Sequence, residues 1–114
     1  MRMEIIRTRC TSTHLAELAA ENYGTMIKGV VDVRRGVFVL GGELHADAEA
    51  LLLADGSAQE DLWGFNLHLE IERDARLEFT SFINIRPRQG NRSIEVADPQ
   101  LREQMRAIID ELVE

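Results

Sequence analysis

The strongest constraint on this chain is a pair of alternating runs set around Arg34-Arg35-Gly36, with Ile27, Val31 and Val33 on one side and Val37 and Val39 on the other. Period-two apolar alternation broken by a short loop ending in glycine specifies a β-hairpin. A type I turn closed by a glycine bulge predicts Val33 opposite Val37, with the odd-numbered residues on one face.

Other segments fall into place around it. Met3 to Ile6 is a short apolar run, expected to be a strand. Thr11-Ser12-Thr13 offers helix N-caps, Leu15, Leu18 and Ala19 follow at helical spacing, and Gly24 suits a left-handed end. Leu44, Ala48, Leu51 and Leu52 show a period near 3.6 that Gly56 terminates. Trp63, Phe65, Leu67, Leu69 and Ile71 then alternate with polar residues, and the pattern resumes after Arg73-Asp74-Ala75 as Leu77, Phe79, Ile83 and Ile85, predicting a second hairpin. Asp98-Pro99 supplies an N-cap and a first helical residue for a stripe of Leu101, Met105, Ile108, Ile109 and Leu112. The order β-α-β-β-α-β-β-α predicts an α+β fold: a mostly antiparallel sheet of about five strands with three helices on its apolar face. The first six elements follow a ferredoxin-like order, extended by one strand and one helix. Residues 1–114 are expected to form one domain.

Composition removes several classes. With 45% hydrophobic and 29% charged residues, 8 Gly and 2 Pro, the chain is neither disordered nor of low complexity. Its longest apolar run is Ala50 to Ala54, so neither a membrane span nor a secretory segment is expected. The lone Cys10 has no disulfide partner, which predicts a cytoplasmic location. Beside Arg9 and a helix start, with His14 four residues on, Cys10 resembles a nucleophile only superficially, and an unreactive thiol is expected.

The net charge of −7 opposes nucleic-acid and anionic-membrane binding. Residues 37–72 carry eight acids and no base, whereas residues 73–92 carry five arginines against Asp74 and Glu78. Opposite blocks this close in a short chain are expected to meet, placing Arg86, Arg88 and Arg92 within reach of the acidic segment 43–61. Twelve of the thirteen basic residues are arginine, which suits bidentate carboxylate or phosphate contacts.

Three segments concentrate chemistry. At the start of the second helix, Glu43 with Asp47 and His45 with Glu49 are i,i+4 pairs. His45 and Glu49 are candidate metal ligands, and His45, Glu43 and Asp47 are candidate acid-base groups; the same acids equally offset a helix dipole. No standard zinc spacing is present. Gln59, Asp61 and Trp63 lie where a strand begins and are candidate pocket residues. Ile85 to Ser93 packs Arg86, Arg88, Asn91, Arg92 and Ser93 around one glycine and one proline, a donor-rich loop suited either to an anion or to internal pairing. The glycine and lysine spacing of a phosphate loop is absent.

Gly41 to Glu49 (GGELHADAE), Asp55 to Gly64 (DGSAQEDLWG) and Ile83 to Ser93 (INIRPRQGNRS) together resemble a family of short prokaryotic proteins classed only as a domain of unknown function. The resemblance implies a stand-alone prokaryotic domain and assigns no activity, cofactor or site residue. Three functions fit these residues. The first is a binding or regulatory domain holding a small anionic or polar ligand between segment 43–61 and the Arg86 to Ser93 loop. The second is a small hydrolase with His45 or His68 as base. The third is an interaction module or homo-oligomer built through a sheet edge or the last helix.

Overall fold

The computed structural model describes residues 1–114. Strands β1 (Met3–Ile6), β2 (Met26–Asp32), β3 (Val37–Gly41), β4 (Leu62–His68) and β5 (Leu77–Glu78) form one sheet in the order β1-β3-β2-β4-β5, every pair antiparallel. Helices α1 (Ser12–Ala20), α2 (His45–Ala54) and α3 (Pro99–Leu112) complete the α+β architecture. Thr11 caps α1 by accepting from the His14 N–H, and Asp98 caps α3 by accepting from Gln100, ahead of Pro99.

Four features depart from the sequence expectation. First, β4 lies beside β2, whereas a ferredoxin-like sheet would set it against β1. Second, the hairpin register is shifted by one residue, pairing Asp32 with Val37 and Val31 with Phe38. The cause is Asp32, whose Oδ1 accepts from the N–H groups of Arg34 and Arg35 while Gly36 N–H donates to the Asp32 carbonyl, so Val33 joins the loop. Gly36 takes the positive φ of 71° that this turn needs.

Third, apolar side chains lie on both faces of the sheet. Val31, Phe38, Leu40, Phe65 and Leu67 pack with Leu15 and Leu18 of α1 and Met105 and Ile109 of α3. Val30, Val39 and Leu62 pack on the opposite face with Ala48 and Leu52 of α2. The helices therefore cover two faces rather than one. Gly29 is needed on the larger face, because a Cβ there would lie 2.3 Å from the Phe65 ring, which meets Phe38 edge to face.

The second hairpin is also shorter than its apolar alternation suggests. Only Leu77 and Glu78 form β5, and the edge of β4 is then completed by a side chain. Asn84, fully buried, accepts from the Gly64 N–H at 2.8 Å and donates to the Gly64 carbonyl at 3.1 Å. Ile83 and Ile85 thus leave the strand pattern, and Phe82–Asn84 form one 3₁₀ turn.

Candidate functional site

The acidic middle of the chain pairs with the N-terminal basic residues and not with the arginine loop. Asp55 binds Arg7 at 2.6 Å and Arg35 at 2.8 Å, and Asp61 binds Arg34 at 3.0 Å. Buried Asp32 accepts from the Ser57 hydroxyl at 2.6 Å, and that hydroxyl accepts from Arg35. Asp61 is therefore turned to Arg34. Two arginines of the 73–92 block are used elsewhere: Arg73 and Arg76 donate to carbonyls at the end of α3, and Arg76 also binds Asp110 at 3.0 Å.

The loop carrying the remaining arginines is a closed unit. Backbone bonds run both ways between Arg86 and Asn91, and Pro87–Gln89 make one 3₁₀ turn ended by Gly90 at φ 79°. Asn91 is buried, donates toward the Asn84, Ser93 and Glu95 carbonyls and accepts from the Ala97 N–H. Ser93 Oγ accepts from the Glu95 N–H. Both residues shape the loop. Arg92 is exposed, has no ion-pair partner, and lies outside the cavity described next.

Arg86 docks this loop on the protein. Its guanidinium donates to the carbonyls of Ile83 (3.0 Å), Gln59 (2.7 Å) and Leu62 and to Gln89 Oε1, and stacks 4.1 Å above the buried Trp63 ring. Its partners are neutral. Burial lowers its pKa from the ordinary arginine value, and Glu49 opposes that shift without an ion pair. Gln59, Ile85, Arg86, Pro87, Arg88 and Gln89 line an open cavity of about 420 Å³ at this corner. Arg88 is exposed there and bound to no carboxylate. Of the predicted ligand residues, the fold brings Gln59, Arg86 and Arg88 together at this cavity, with Trp63 beneath Arg86.

His45 begins α2, where its Nε2–H donates to the Phe65 carbonyl at 2.8 Å. Burial lowers its pKa, Lys28 adds to that, and the Phe65 carbonyl, Asn66 and Glu78 oppose it. Glu43 meets its neighbours through its carbonyl, which accepts from Lys28 Nζ at 2.7 Å and the Tyr23 hydroxyl at 3.0 Å. The Asp47 side chain is exposed, and Glu49 Oε2 is buried without a donor. No group of three His, Cys, Asp or Glu side chains is gathered here or elsewhere in a geometry that would hold a metal. Lys28, Asn66, Ser81 and Phe82 surround His45, and no motif announces them; their one signal is a lysine interrupting the apolar run of β2.

The other histidines hydrogen-bond to carboxylates, His14 to Glu4 at 2.6 Å and His68 to Glu78 at 3.3 Å. Asn66 first and His68 second hold the Glu78 carboxyl below its usual range. Burial, with Glu4 and Glu114, pushes the Cys10 thiol up, which disfavours the thiolate. No helix is long and apolar enough to cross a membrane.

No curated protein and no solved structure matches the chain. A family model does match, over residues 4–112, and the chain accordingly belongs to the family described as Protein of unknown function (DUF5674).

Proposed function

We propose that the chain is a binding domain whose corner cavity at Gln59, Arg86 and Arg88 takes a small oxyanion of the phosphate or sulfate class. The observation that carries this reading is the pair of arginines without carboxylates. Arg86 is half-buried among neutral acceptors, and Arg88 stands free at the same cavity. Cations gathered in one place without counter-charge favour an anion that supplies it. Trp63 beneath Arg86 gives the reporter. Phosphate titrated at constant ionic strength should change Trp63 fluorescence saturably, and Arg88→Ala should remove the response without altering the melting temperature. A wild-type signal that follows ionic strength alone, with chloride as effective as phosphate, would refute the reading.

A further inference from the structure

A second cleft, sharing no lining residue with the arginine corner, lies on the α2 face of the sheet. Two adjoining cavities of about 250 and 190 Å³ share Lys28, His45, Ser81 and Phe82. Leu44, Ala46 and Ile83 complete the first, and Asn66, Thr80 and Ile94 the second. The walls differ sharply in character. One is apolar and open: Phe82 is 82% exposed, and Leu44 and Ile94 are exposed beside it. Exposed apolar side chains grouped in this way and rimmed by polar residues mark binding surfaces.

The other wall is positive. Lys28 is the only lysine of the chain and has no carboxylate partner; its ammonium is held by the Glu43 carbonyl and lies 5.4 Å from the centre of the Tyr23 ring. Beside it α2 begins without a side-chain cap, since Leu44 has no acceptor to offer, and Leu44, His45 and Ala46 line the cavity. Of the acids around this wall, Glu43 and Asp47 at the start of α2 are exposed, and the Glu78 carboxylate is already bound by Asn66 and His68. A single ammonium beside uncapped helix N–H groups, facing an apolar wall, matches a monoanion with an apolar body better than a polyanion.

We propose that this cleft binds a small organic carboxylate, with the carboxylate at Lys28 and the start of α2 and the apolar body against Phe82. The site is independent of the arginine corner and needs no phosphate there.

The test is a binding titration followed by amide chemical shifts, with phenylacetate as probe and neutral phenylacetamide as its isostere. Phenylacetate should bind with shifts at Lys28, His45, Ala46 and Phe82 and none at Arg86 to Gly90, and phenylacetamide should bind at least tenfold more weakly. Lys28→Met should reduce phenylacetate to the level of the amide. Phe82→Ala should weaken both probes alike, and its exposed position keeps folding out of the comparison. Equal affinity for acid and amide, absence of phenylacetate binding to the wild type, or competition by inorganic phosphate would overturn the proposal.

Discussion

Asn84 pairs with Gly64 as a neighbouring strand would, one carboxamide satisfying both the N–H and the carbonyl of a buried strand residue. Its Nδ2 also donates to the Ile94 carbonyl, and its own carbonyl accepts from Asn91. Asn84→Ala would strand buried backbone groups at about 1–3 kcal/mol each. Chemical denaturation should show a loss of at least about 2 kcal/mol, whereas a loss below about 0.5 kcal/mol would mean that water replaces the side chain.

Arg86 and Arg88 should separate cleanly. Removing Arg86 takes the side-chain donor from the Ile83 and Leu62 carbonyls, while the Gln59 carbonyl keeps the Leu62 N–H, and uncovers Trp63, so Arg86→Ala should lower stability by about 2–4 kcal/mol and shift the Trp63 emission. Arg88→Ala should stay within about 0.5 kcal/mol of wild type. Thermal and urea melts of the two variants decide whether the loop is held by the first arginine alone.

Asp32 should be among the costliest polar positions to change. Asp32→Ala removes the one oxygen that accepts from both turn N–H groups, together with the partner of the Ser57 hydroxyl, at a fully buried position. A loss on the order of 2–4 kcal/mol is expected in denaturant melts. Wild-type stability in this variant would mean that β3 keeps its register without the turn.

On α3, Ile109 is fully buried while Ile108 is half-buried. Ile109→Ala should therefore cost about 2–5 kcal/mol and Ile108→Ala clearly less. The reverse order in thermal melts would place a different face of the helix against the sheet.

The pH dependence of stability should carry the mark of His45. Its folded pKa lies below the ordinary value of 6.5, chiefly through burial, so the unfolded chain binds the proton more tightly. The neutral-ring contribution is fully present above pH 6.5 and is lost as pH falls below that value toward the folded pKa. Denaturation between about pH 7.5 and 5.5 should show wild type losing stability toward acid, with His45→Gln flatter; this window lies above the usual carboxylate range, where Glu78 acts. Parallel profiles would assign the slope to other groups.

Element types were legible because the helix caps Thr11 and Asp98 and the alternation of β2, β3 and β4 are local signals. Register was not. With apolar residues on both faces, Val37 and Val39 are as fit for the core as Phe38 and Leu40, so a one-residue slip leaves the hydrophobic pattern intact. One carboxylate, Asp32, breaks the tie. The strand order was hidden for a related reason: whether β4 lies beside β1 or β2 depends on α2 crossing the second face, which its own apolar stripe does not encode. Of the candidate site, Arg86, Arg88 and Gln59 could be named from composition. The partners of the acidic segment could not, because Arg7, Arg34 and Arg35 reach it only through the folded sheet.

Lys28 gives the molecule a chemical address. Among its side chains, reagents selective for primary amines have a single target, standing at the mouth of the cleft beside Phe82. One acylation there would cancel the ammonium and lay an acyl chain along the apolar wall, so a single mass increment on an intact side chain would mark the cleft as filled and discharged at once.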